Sequence, residues 1–252
     1  LGQTPSADAR SLFEVPFQSP HHSASVASII GGGTGVPKPG AISLAHRGVL
    51  FLDELLEFQN HVIQSLREPL EARKITISRS AGQAVFPADF QLVVAANPCP
   101  CGNFGVAKLT CTCAPASRTR YNNRLSGPIF DRIDIRLQIQ PVSKIYSDLE
   151  QVVGAEVTSE QARNRVSAAR AVARERLAKT RFETNAQVSS SYLRTKLKLS
   201  PQVTRDLVRA LENQRISMRG FDRVQRISWT LADLDDATSP TADHIARAMQ
   251  LR

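Results

Sequence analysis

Two carboxylates in series, Asp53 and Glu54, close a short apolar run, Gly48-Val-Leu-Phe-Leu52. An Asp at such a point can hold a magnesium ion directly or through water, and the neighbouring Glu can polarise an attacking water. Phosphoryl transfer asks little more of a protein than positioning and charge stabilisation, which these groups supply. The same pair suits a helix N-terminus, so by itself it leaves both readings open. Asn97 directly follows a second apolar run, Phe90 to Ala96. Its amide can orient the same water against a γ-phosphate or serve as a turn residue before Pro98. Arg132 lies in Leu125-Ser-Gly-Pro-Ile-Phe-Asp131-Arg132-Ile-Asp134. From the edge of an α/β core it can reach a neighbouring subunit's phosphate, or it can form a surface ion pair with Asp131 or Asp134.

All four cysteines fall between residues 99 and 113, as Cys99-Pro-Cys101 and Cys111-Thr-Cys113. Four thiolates in one short loop can surround zinc tetrahedrally, and with no open position the ion would be structural. Disulfides and free buried thiols are the other readings, disulfides being disfavoured in a reducing compartment. Lys74 and Arg79, with Ser78 and Ser80 beside them, suit phosphate contacts that carry affinity without sequence readout. Aromatic residues make up only 6% of the chain, which argues against stacking on single-stranded bases. His21 and His22 stand side by side, and lone histidines are more often structural than functional.

These residues need elements to position them. The runs at 48–52 and 90–96 read as buried parallel strands. Val62, Ile63, Leu66 and Leu70 recur at helical spacing, predicting a helix to about Ala72. Ile75 and Ile77 alternate with polar residues before a Ser-Ala-Gly turn, and Ala84 to Phe86 returns, so Lys74 to Phe86 reads as a hairpin. Residues 31–40 hold five glycines and two prolines and are expected to be a loop. Ile135 to Ile139 alternates as a short strand. From residue 158 the pattern turns helical: Ala162, Val166, Ala169, Ala173 and Leu177 share one face, and Thr158 with Gln161 forms a capping box. Ser200-Pro201 and Ser239-Pro240 read as further helix starts. The expected fold is therefore α/β, a parallel-sheet core over residues 1–150 followed by an all-helical domain over 151–252.

The chain carries 252 residues, enough for one or two domains with real cores. Its net charge is +9, and residues 156–252 hold 18 Lys and Arg against 11 Asp and Glu. An acidic partner is compatible with that excess, as is a solvated helical surface. The sequence offers no apolar run of membrane-spanning length and no signal-peptide pattern, so a cytoplasmic location is expected.

Several stretches together resemble one family. They are Pro16-Phe-Gln-Ser-Pro-His-His22-Ser-Ala-Ser, Lys38-Pro-Gly-Ala-Ile-Ser-Leu-Ala-His46, Gly48–Leu55, Asn97-Pro-Cys-Pro-Cys-Gly102, Leu125–Asp134, and Ser217-Met-Arg219-Gly-Phe-Asp-Arg223-Val-Gln-Arg226 with Ala232-Asp-Leu234. The resemblance is to the ComM/YifB group of magnesium-chelatase-like AAA+ ATPases. It implies a P-loop NTPase core with a helical lid, assembled as a homo-hexameric ring that uses ATP and Mg2+. It makes Asp53 and Glu54 the Walker B pair, Asn97 sensor 1, Arg132 the arginine finger and Arg219 the sensor 2 arginine, with Arg223 the competing choice one helical turn away. ComM-type proteins look like branch-migration helicases of DNA uptake and recombination. The chelatase subunits proper share the core but drive metal insertion through a protein partner. The motif order also resembles the MCM helicases, whose hairpin before sensor 1 touches DNA and matches Lys74–Phe86 here.

One part of the pattern is absent. A P-loop needs Gly-x-x-x-x-Gly-Lys followed by Ser or Thr, and residues 31–40 offer only Lys38 followed by Pro39. The Walker A strand and loop are expected upstream in a longer protein, and this chain alone is expected not to hydrolyse ATP.

Overall fold

The computed structural model describes residues 15–33, 36–79, 82–105, 109–125, 129–139 and 157–252. Contacts divide the chain into two compact units, Leu1–Arg132 and Ile133–Arg252. The expected boundary at 150/151 lies outside the described residues.

In the first unit β1 (Phe17–Gln18) leads through α1 (Val26–Ile30) to a small ribbon, β2 (Gly31–Gly32) and β3 (Lys38–Pro39). Next come α2 (Ala41–Leu44) and β4 (Val49–Leu52), then a 3-10 turn at Leu55–Glu57, α3 (Asn60–Ser65) and α4 (Arg67–Ala72). The hairpin β5 (Lys74–Arg79) and β6 (Gly82–Pro87) precedes β7 (Gln91–Val94) and α5 (Pro115–Asn122). Strands β1, β4 and β7 form a parallel sheet in that order, with Phe17 opposite Val49 and Leu50 opposite Leu92. The parallel-sheet class predicted from the two apolar runs is what the chain builds.

Leu50 and Leu52 are fully buried against Ile29, Ile42, Phe58, Ile63 and Leu66. The other sheet face is open among the described residues: Phe17 is 61% and Val93 42% exposed. The second predicted strand is accordingly shorter than 90–96 and less buried, because β7 is an edge strand with one covered face. The predicted helix to Ala72 is two pieces. Pro69 brings no N–H and its ring crowds the carbonyl of Ser65, four residues back, which is where α3 stops. The glycine-rich stretch is not wholly loop. Gly31 and Gly32 adopt φ of 109° and 145°, a backbone that lets β2 pair with β3. At Gly31 an added Cβ would lie 2.7 Å from Ile77 Cδ1 and 2.6 Å from the Lys38 carbonyl oxygen. The ribbon and the β5–β6 hairpin are thus packed on one another through a bare backbone.

The second unit is helical: α6 (Ser159–Leu177), α7 (Ser190–Thr195), α8 (Pro201–Glu212), α9 (Met218–Leu234) and α10 (Ala242–Gln250). The Thr158–Gln161 capping box forms as predicted, and Ser200 caps α8. Ser239-Pro240 does not start α10. Thr241 does, its hydroxyl accepting from the His244 N–H while His244 Nδ1 accepts from the Thr241 N–H. On α6 only Ala169, Ala173 and Leu177 of the predicted face are buried; Ala162 and Val166 are exposed. The core joins Leu177, Leu193, Leu207, Val224 and Ile245. Residues 133–139 form no strand: Leu137 and Ile139 are largely exposed, and the Arg136 N–H donates to the Leu251 carbonyl at 2.7 Å. Alternation alone was the signal there, and no neighbouring strand among the described residues offers a ladder.

Candidate active site at the carboxyl end of the sheet

The apolar residues of β4 bury its length and bring Asp53 and Glu54 to its carboxyl end, both exposed. In an open parallel sheet that end faces the ligand crevice. Asp53 Oδ1 accepts from the Glu54 N–H at 2.8 Å, and Glu54 takes a left-handed backbone, φ 50° and ψ 43°. Such a conformation in a non-glycine residue costs roughly 1–3 kcal/mol and is held by its surroundings. Here the ladder supplies the hold: the Ala95 N–H donates to Leu52 O at 3.0 Å, and the Leu55 N–H donates to Ala95 O at 2.9 Å. The chain therefore turns at 53–54 while pinned on both sides to the end of β7. Asn97 follows two residues later, exposed at the same end of the sheet.

Sequence reasoning gave His22 little weight, yet its Nδ1 lies 2.9 Å from Glu54 Oε2. Its ring stacks beside His21 with centroids 4.0 Å apart and meets the buried Phe58 edge-on at 6.4 Å. His22 reaches Glu54 because β1 pairs in parallel with β4, so residues following either strand emerge at one edge. A strand of two residues, Phe17–Gln18, has no periodicity to read, which is why the juxtaposition was invisible in the sequence.

A second support comes from α5. Its Tyr121 is buried, and desolvation with the adjacent Glu57 carboxylate pushes the phenol up to about 12, keeping it a neutral donor. Just beyond, Arg124 Nη1 donates to Leu56 O at 2.5 Å. Both grip the 3-10 turn that follows Asp53 and Glu54. Preceding α5, the four cysteine sulfurs lie within 4.8 Å of one another as free thiols. The Cys101 thiol is lowered to about 5 by backbone N–H groups of Asn103 and Thr112, which stabilise its thiolate.

The Arg132 guanidinium is largely covered and bonds Glu71, from the end of α4. Asp134 holds Arg223 Nη1 at 2.7 Å. Arg219, one turn earlier, is exposed in the first turn of α9. Lys74 and Arg79 are the first and last residues of β5: Lys74 sits opposite Pro87 at the hairpin base and Arg79 opposite Gly82 near its tip. Ser80 and Ala81 lie outside the described residues, as do residues 126–128 before Arg132.

The model of magnesium chelatase subunit ChlI matches residues 3–146, and the model of its C-terminal domain matches 156–252. The chain belongs to the magnesium chelatase family. Within the family it is of the ComM/YifB type: it is 40% identical to competence protein ComM of Haemophilus influenzae and 42% identical to YifB of Escherichia coli, each over 94% of this chain and 45% of the relative. An uncharacterized protein of Mycobacterium tuberculosis is 44% identical over 98% of this chain and 48% of its own length. The chain thus spans about half the length of the curated relatives it matches. Its three-stranded parallel sheet with a helical C-terminal unit agrees with an incomplete AAA+ core and helical lid. No described helix of this magnesium-chelatase-like chain is long and apolar enough to cross a membrane.

Proposed function

We propose that this chain is the hydrolytic and lid portion of a ring-forming, cytoplasmic ATPase that couples ATP hydrolysis to DNA remodelling. The observation that carries the reading is the carboxylate pair at the end of β4, with Glu54 oriented by His22 and the end of β7 held alongside. In this reading Asp53 holds Mg2+, Glu54 activates water, and Asn97 aligns that water with the γ-phosphate. Arg219 is the sensor 2 arginine in this reading, with Arg223, which Asp134 holds at 2.7 Å, the competing choice. Arg132 is the finger toward a neighbouring protomer in a homo-hexamer, and it must leave Glu71 to act.

The DNA assignment draws support from the ComM relative, whose name ties it to competence, and from the β5–β6 hairpin. Arg79 is the hairpin residue suited to the phosphate backbone. Lys74 lies about 17 Å back along the strand and makes a weaker candidate. A branch-migration or helicase activity would use such contacts without reading sequence. The second reading, a motor acting on a protein partner, draws on the chelatase subunit after which both family models are named.

The test is ATP turnover by the longer natural protein, with and without duplex and branched DNA. The motor reading expects hydrolysis that DNA stimulates and that Glu54→Gln reduces by about 100-fold or more in kcat. Hydrolysis indifferent to DNA would favour the protein-partner reading, and undiminished turnover in Glu54→Gln would sink the site assignment. The 252-residue chain alone, lacking a Walker A loop, is expected to show no turnover above background.

A further inference from the structure

We propose that Cys99, Cys101, Cys111 and Cys113 hold one structural zinc ion, and that this ion braces the carboxylate pair through α5. The site assignment does not depend on the ATPase reading.

The geometry is that of a closed four-sulfur site. Cys99 Sγ lies 3.4 Å from Cys101 Sγ and 3.7 Å from Cys111 Sγ, and Cys101 Sγ lies 3.7 Å from Cys111 Sγ. With zinc–sulfur bonds of about 2.3 Å, the edge of a tetrahedron of ligands is roughly 3.8 Å. Two of the measured edges sit at that value and the Cys99–Cys101 edge is shorter, and all four sulfurs fall within 4.8 Å. Soft thiolates select zinc over magnesium or calcium, and four protein ligands leave no place for a reacting water.

The loop is also built as such sites are. In Cys99-Pro100-Cys101-Gly102 the Gly102 N–H closes a turn onto Cys99 O at 2.9 Å. Gly102 and Gly105 have φ of 76° and 79°, left-handed bends that carry the chain back toward the second cysteine pair. The Phe104 N–H points at Cys99 Sγ at 3.3 Å. Arg118 Nη1 approaches Cys111 Sγ at 3.9 Å, with its guanidinium 4.3 Å above the Phe104 ring. Amide donors and one cation beside the sulfurs offset the negative charge of a tetrathiolate centre, the usual task of groups around a metal. Cys99 is wholly buried.

The consequence lies in what the loop joins. Asn97 stands two residues before the first cysteine, and Pro115 opens α5 two residues after the last. Tyr121 and Arg124 then hold the 55–57 turn next to Glu54. A zinc ion held by both cysteine pairs would tie the end of β7 rigidly to the helix that grips the site.

The 252-residue chain would be purified under reducing conditions without a histidine tag and its metal content measured by mass spectrometry. The reduced, metal-stripped wild type would then be titrated with Co2+, which avoids reliance on variants that fail to fold. One zinc per chain, together with the intense visible bands of a tetrahedral tetrathiolate cobalt centre, supports the proposal. Iron in place of zinc, an octahedral cobalt spectrum, disulfides in protein kept reduced, or four free thiols with no bound metal would each overturn it. Bracing has a separate readout. Stripping the metal should speed amide exchange in residues 115–125 and 55–57 by tenfold or more; unchanged exchange there would refute the bracing role.

Discussion

Glu54 is held by two restraints of different kinds. Its backbone is confined to the left-handed region by the ladder on either side, and its carboxylate is fixed by His22 at 2.9 Å. In the proposed mechanism Glu54 activates water, and such a group gains from fixing because small misplacements of a reacting group cost rate steeply. In the longer protein His22→Ala should therefore lower kcat about tenfold while leaving KM for ATP within about twofold, the mark of an interaction that matters in the transition state. Steady-state ATPase kinetics would check this, and a raised KM with kcat unchanged would show that His22 binds rather than orients. In the helical unit, Arg176 bonds both carboxylate oxygens of Asp233, and it also donates to Asn185 Oδ1 at 2.8 Å. Its guanidinium lies 4.5 Å from the Trp229 ring centre, and Asp233 is 1% exposed. Removing the cation leaves a buried carboxylate unpaired, so Arg176→Ala should cost about 3–5 kcal/mol in urea unfolding. Arg176→Met combined with Asp233→Leu should regain most of that loss.

At the scale of elements, the sheet depends on a close approach at Gly48. A Cβ there would meet the Pro16 carbonyl oxygen at 1.9 Å, the same oxygen that accepts from the Val49 N–H at 2.8 Å. Gly48→Ala should separate β1 from β4, carry His22 away from Glu54, and lower the unfolding free energy of the first unit, read from urea titration, by about 2–4 kcal/mol. The end of α9 shows an electrostatic tie to α10. Asp235 Oδ2 accepts from Arg247 at 2.5 Å and lies 3.2 Å from His244 Nε2. The hydrogen bond from Arg247 holds its carboxyl below the ordinary carboxylate value. A depressed carboxylate stabilises above its unfolded value of about 3.9, and that stabilisation is lost as pH falls through the folded value. Thermal melts should show Asp235→Asn less stable than wild type at pH 7, with the difference closing as the pH is lowered toward about 2.

For the whole molecule the open questions concern surfaces. One face of the sheet and the outer edge of β7 have no covering element among the described residues, and the relatives are about twice as long as this chain. In a longer protein containing this chain, Arg79→Ala should weaken DNA binding uniformly across sequences and reduce the dependence of log affinity on log salt by about one unit. Lys74→Ala, at the hairpin base, should change the slope less. Binding measured from low to moderate salt would separate the two.

The sequence by itself determined the fold class and many of its local elements. Asp53 and Glu54 closing an apolar run, the hairpin from Lys74, the capping box at Thr158 and the clustered cysteines are all local patterns, set by neighbours within a few residues. Those patterns were legible because periodicity, caps and turns act over short distances. What only the tertiary structure decided were pairings between distant segments. Arg132 chose Glu71, Asp134 chose Arg223, and His22 met Glu54 through a two-residue strand. Charge partners separated by 30 to 90 residues are selected by how the sheet and helices pack, a matter of burial and register that no local pattern encodes.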